Sequence, residues 1–121
     1  MTTLELVLAG IIAVEHLGIM GLEMFGKPEA QAKAFDMDVD FVKLPAARVA
    51  LGNQGIYNGM LGVSILAALF LFAGATLVTV LSLLMVFVSI VALYGTFTAT
   101  KKIFVIQFLP AFVTLLLLLF V

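Results

Sequence analysis

Four ionisable side chains stand in a strongly apolar N-terminal stretch: Glu5, Glu15, His16 and Glu23. At 3.6 residues per turn they fall within an arc of roughly 100°, so they form one face of a helix. A charge turned towards lipid costs several kcal/mol, so this face is expected to look into the protein. Glu15 and His16 are neighbours, and together they have the chemistry to bind or share a proton or to hold a polar ligand. The chain has one histidine and no cysteine. Thiolate catalysis, disulfides and zinc–sulfur sites are thereby excluded, and neither a metal nor a cofactor is expected.

A second group of polar residues lies in RVALGNQGIYNGMLG, where Asn53, Gln54, Tyr57 and Asn58 crowd one short stretch. Gly52, Gly55, Gly59 and Gly62 recur there at helical spacing, which predicts a seam where another helix approaches closely. Further on, Ser82, Ser89 and Thr96 repeat every seven residues with Tyr94 nearby, and Gln107 and Thr114 flank Pro110. Such hydroxyls and amides commonly act as packing glue between membrane helices, at about 0.6–2 kcal/mol each.

The elements that carry these residues follow from composition. The 121 residues are 64% hydrophobic and 11% charged, with a mean hydropathy of +1.31. A soluble domain of this size could not clothe its core with so few polar residues. A near-neutral balance also gives no electrostatic footprint for nucleic acid. Apolar stretches at about 3–25, 47–72, 75–99 and 103–121 are each about long enough to cross a bilayer. The expected fold is an all-α bundle of four transmembrane helices forming a single domain over 1–121. The second and third helices form a tight hairpin through 72–75, and residues 26–46 form an interfacial loop.

All six Lys and Arg residues lie in or beside the first and third connections: Lys27, Lys33, Lys43, Arg48, Lys101 and Lys102. The positive-inside rule places those connections in the cytoplasm and both termini outside. MTTLELVLAG carries no basic residue before its apolar run, so it reads as a retained span and not a cleaved signal. A multi-pass protein of a bacterial inner membrane is the expectation.

Counting residues from the cytoplasmic ends puts Glu15 and His16 about 15 Å deep, level with Tyr57 and Asn58. Glu23 and Arg48 come out together nearer the surface, where a structural ion pair is expected. The polar groups therefore overlap in the inner half of the bundle. In the first connection, AFDMDVDFV alternates apolar and acidic residues. It fails the calcium-loop pattern, with Phe41 where Gly belongs, and reads as an extended interfacial segment.

The set Glu15-His16, Leu22-Glu23-Met24-Phe25, NQGIYNG at 53–59, Tyr94-Gly95, and Gln107 with Pro110-Ala111 resembles a bacterial family of small four-span membrane proteins, domain of unknown function thirteen-oh-four. The likeness covers nearly the whole chain, and NQGIYNG is its most specific element. It implies the four-span fold and makes these positions the family's own motif residues, while implying no activity. Small multidrug-resistance exporters share the layout of four spans with a carboxylate on the first. They differ in their tryptophans and in the place of the glycine seam, so the likeness is one of architecture.

A transporter or permease-like protein is the first functional expectation. Its polar pocket would be lined by Glu15, His16, Asn53, Gln54, Tyr57, Asn58, Tyr94 and Gln107. Four helices enclose little volume, so a homodimer in the lipid bilayer is expected. An accessory protein packed on a membrane partner ranks second, and an intramembrane acid–base enzyme acting on a lipid-like substrate ranks third.

Overall fold

The computed structural model describes residues 1–121, and every regular element in it is helical. The order is α1 (Thr3–Phe25), α2 (Pro28–Phe35), α3 (Val39–Val42), α4 (Pro45–Leu71) and α5 (Gly74–Thr98), followed by a π-helical turn, Phe104–Phe108, that runs into α6 (Leu109–Phe120). Local chemistry sets these limits. Thr2 caps α1, and the Glu5 carboxylate accepts from the Thr2 amide at 2.5 Å and from its hydroxyl at 3.1 Å. Glu5 is thus spent on a capping box. Pro28 and Pro45 open α2 and α4, where a missing N–H costs nothing. Gly74 turns the chain into α5 with φ of +58°, a conformation that side chains with a Cβ resist.

Helices α1, α4 and α5 are long and apolar enough to cross a membrane. The fourth apolar segment is shorter than the expected 103–121, its helix running from Phe104 to Phe120. Within its first turns Phe104, Phe108 and Phe112 stack at centroid separations of 5.0 and 5.3 Å. The π-turn passes the Leu109 N–H back to the Phe104 carbonyl just before Pro110, a place where helices commonly loosen.

The core is formed by Ile12 and Ala13 of α1, Ile65 of α4, Leu81 and Met85 of α5, and Leu115 of α6, with smaller residues between them. These positions lie in the half of the bundle that holds both termini and the 72–73 turn. Helix α4 packs extensively on α1, and α5 on α6, whereas α4 and α5 make slight contact. The tight hairpin expected between α4 and α5 is therefore tight at its turn alone. The two helices separate towards the other end, where residues 26–44 and 99–103 lie.

The α1–α4 contact depends on glycine. A Cβ on Gly62 would sit 2.7 Å from the Ala13 carbonyl oxygen, and Cβ atoms on Gly55 and Gly59 would collide with Met24 and Met20. Apolar helices in lipid gain little from hiding apolar surface, so this backbone approach and its dispersion contacts carry the association. Gly52 is not part of the seam, since nothing lies within 4 Å of its missing Cβ.

The segment expected to be extended is helical instead. Helix α2 ends at Asp36, which adopts a left-handed conformation with φ of 53° and closes the last turn through its N–H on the Ala32 carbonyl. Aspartate tolerates that conformation better than most residues. Asp38 then caps α3 by accepting from the Asp40 amide at 2.8 Å. Alternation of acid and apolar residues therefore reflects a helix stop followed by a helix start. Ala32, Val42 and Leu51 pack with Phe35, Met37 and Val39 into a small second core against the first turns of α4.

Candidate functional site

Because α2 and α3 lie along the start of α4, α4 extends past the end of α1. Glu23 therefore faces Asn58 and not Arg48, and the Asn58 Nδ2 donates to Glu23 Oε1 at 2.5 Å. Compared with the register expected by counting from the helix ends, α4 is displaced by roughly two turns. The expected Glu23–Arg48 ion pair is absent for this reason. Arg48 instead donates to Gln31 Oε1 and, at 3.4 Å, to the Gly26 carbonyl. Gln31 in turn donates to the Leu22 and Glu23 carbonyls at 2.8 and 3.1 Å. Together Arg48 and Gln31 cap the C-terminal end of α1, where partial negative charge collects.

Glu23 is 3% exposed, and it borders a cavity of about 390 Å³ roofed by Phe35, Met37, Thr100 and Lys102. No protein donor reaches its second carboxylate oxygen; Asn58 is the only side chain that bonds to the carboxylate. A second cavity of about 360 Å³ opens between α4 and α5 and is bordered by His16, Tyr57, Met60 and Phe87. The two cavities meet at Gln54, Asn58, Val91 and Gln107, which line both. The π-turn carries Gln107 to that junction.

His16 is 2% exposed, and its Nδ1 lies 2.8 Å from the Ile12 carbonyl. A carbonyl only accepts, so Nδ1 carries a proton, and in the neutral ring Nε2 is the nitrogen left to accept one from a ligand. Glu15 stands apart from it. The buried face of α1 centres on Glu5, Ile12, His16 and Glu23, and Glu15 falls at its margin, half-buried, bordering neither cavity and hydrogen-bonded to nothing. The pairing of Glu15 with His16 in one site is thus not found, and Glu23 takes the place expected of Glu15.

Of the amides, Gln54 and Gln107 line both cavities without any protein partner, whereas Asn53, exposed like Gln54, lines neither and bonds back to the Val49 carbonyl at 3.2 Å. Tyr57 borders the cavity between α4 and α5, and Tyr94 the other. Most hydroxyls bond within their own helix, among them Ser64 to Met60, Thr96 to Ala92 and Thr114 to Pro110. They do not bridge helices as expected of packing glue. Ser82 and Ser89 have buried hydroxyls with no partner.

The cavity roof is tied by residues that sequence reasoning passed over. Asp36 accepts from the Thr100 hydroxyl at 2.5 Å and from Lys102 at 3.0 Å, and Lys102 also donates to the Lys33 carbonyl at 3.0 Å. The Thr100 and Lys102 hydrogen bonds hold the Asp36 carboxyl below the ordinary aspartate range. Nothing in the local pattern marked Thr100, because its role exists only once residues 36 and 100 meet. A neighbouring ion pair, Lys43 with Glu29 at 3.5 Å, links α2 to the end of α3.

Residues 10–119 match the model of a family described as Protein of unknown function (DUF1304). The chain is also 35% identical over 108 residues to "Uncharacterized protein YpaA" of Lactococcus lactis subsp. lactis (strain IL1403), covering 88% of this chain and 89% of that protein. No solved structure matches.

Proposed function

This chain belongs to the DUF1304 family of proteins of unknown function, and from that premise we propose a permease-like membrane protein with a polar binding pocket in the cytoplasmic half of its bundle. In this reading the helices form a single multi-pass domain of a bacterial cytoplasmic membrane. Residues 26–44 and 99–103 lie inside and both termini outside. The distribution of Lys27, Lys33, Lys43, Arg48, Lys101 and Lys102 supports that orientation, as does the meeting of both basic connections at one end through Asp36, Thr100 and Lys102.

The observation that carries the proposal is Glu23: a buried carboxylate with one protein donor, on the wall of a cavity of about 390 Å³. Ionisable residues inside a membrane are expensive and mark ion or substrate paths by default. Around it Gln54, Asn58 and Gln107 offer donors and acceptors, and His16 adds an acceptor nitrogen. The set supplies binding and proton exchange, which suits passage of a polar solute. A homodimer would supply the rest of a pathway through the outer half, where the core is packed.

Flux of small amines and other polar solutes into vesicles containing the purified protein is the test. Glu23→Gln is expected to lower flux at least tenfold, with Glu15→Gln close to the parent. Flux undiminished in Glu23→Gln would remove the basis of the reading.

A further inference from the structure

The cavity between α4 and α5 opens sideways, and its position says what enters it. Its rim is formed by Tyr57, Met60, Phe87 and Val91, which are 79%, 52%, 56% and 53% exposed. Phe87 and Val91 lie about 10 to 17 Å from the end of α5 at Thr98, well within an apolar span. In a bilayer that rim meets hydrocarbon and not water. Beside it stand the amides of Gln54, which is exposed, and Gln107, which is half-buried; neither bonds to another protein group. Polar groups facing hydrocarbon without partners are costly, so a polar group arriving from the membrane would be stabilised there.

We infer that this opening is a lateral portal and that the ligand is a single-chain amphiphile with an amine head group, drawn from the adjoining leaflet. Its chain lies along Met60, Phe87 and Val91, and its head passes Gln54, Asn58 and Gln107 to reach Glu23. The charge of the head follows from the walls. Among the side chains lining both cavities Glu23 is the one carboxylate, and Lys102, the one lysine or arginine, is already held by Asp36. The remaining charge is negative, and its free oxygen accepts an N–H of the head group. This inference rests on the pocket proposed above and specifies its ligand.

The test measures binding of radiolabelled hexadecylamine, ethylamine and hexadecanoate to the full chain in lipid nanodiscs. Hexadecylamine is expected to bind at least tenfold tighter than either of the others. Val91→Trp, which narrows an exposed rim, and Glu23→Gln, which keeps an acceptor for Asn58, are each expected to weaken hexadecylamine at least tenfold. Phe87→Trp serves as a second rim variant should Val91→Trp fold poorly. Ethylamine bound as tightly as hexadecylamine, with both rim variants silent, would overturn the portal and leave the polar pocket standing. Equal binding of hexadecanoate would overturn the amine head group. Absence of binding by either amine would overturn the pocket as well. The chain has no cysteine of its own, so Met60→Cys reports cleanly on a protein occupant. Efficient disulfide linkage between two copies at that position would overturn the inference in favour of a dimer seam.

Discussion

Glu23 and Asn58 meet across the α1–α4 interface with 2.5 Å between carboxylate and amide, although 35 residues separate them in the chain. That contact, with the glycine seam, sets how far α4 slides along α1. It also places the one buried carboxylate of the pocket on a wall where helices have already been brought together by glycine.

Removing the donor should be worse than removing both partners. Asn58→Leu strands a buried carboxylate and is expected to cost about 2–4 kcal/mol, whereas Glu23→Leu with Asn58→Leu recovers much of that loss. A double-mutant cycle by denaturant titration in mixed micelles measures it. Additive single effects would mean that the pair is not coupled.

The two ends of the glycine series should behave oppositely. Gly62→Ala drives a Cβ against the Ala13 backbone oxygen, which has no freedom to yield, and should destabilise by about 1–3 kcal/mol. Gly52→Ala meets open space and should be neutral or gain up to about 1 kcal/mol through helix propensity. The same micelle titration reads both.

Ser82 and Ser89 bury hydroxyls that bond to nothing. Replacing either with Ala removes an unsatisfied group without opening a large cavity, and stability should rise by about 1 kcal/mol. A fall of that size on Ser89→Ala would instead reveal a partner for the hydroxyl.

Asp36 gives the roof a pH dependence of definite sign. Its carboxyl is held below the ordinary aspartate value by Thr100 and then Lys102. The contact is therefore complete above about pH 4 and is lost as pH falls through the lowered value. Amide protection at residues 99–103, corrected for the intrinsic pH dependence of exchange, should be flat from neutral pH to about pH 5 and fall in stronger acid. Asp36→Asn, which keeps tolerance for the left-handed backbone, should exchange faster at neutral pH and lose the acid step.

Much of this was legible in the residues, for physical reasons. The face holding Glu5, His16 and Glu23 follows from helical periodicity, and the packing role of Gly55, Gly59 and Gly62 from their spacing. The register between α1 and α4 was not legible, because counting from helix ends assumes that the ends are level. Residues 26–44 fold back beside α4, and that offset put Glu23 in the place expected of Glu15. Asp36 misled in another way, since acid–apolar alternation resembles a strand unless the left-handed stop at Asp36 and the cap at Asp38 are foreseen. The π-turn that presents Gln107 had only Pro110 to announce it.

The unequal helices have a consequence for the solvent itself. Helix α1 has 23 residues, whereas the fourth apolar segment spans Phe104–Phe120, so one flank is about 35 Å tall and the other about 25 Å. A bilayer of uniform thickness does not match both, and it must thin beside α6 or tilt the protein to meet it. Hydrophobic mismatch is thereby concentrated on one side, and the length of the host lipids' acyl chains becomes a variable that acts on this protein asymmetrically.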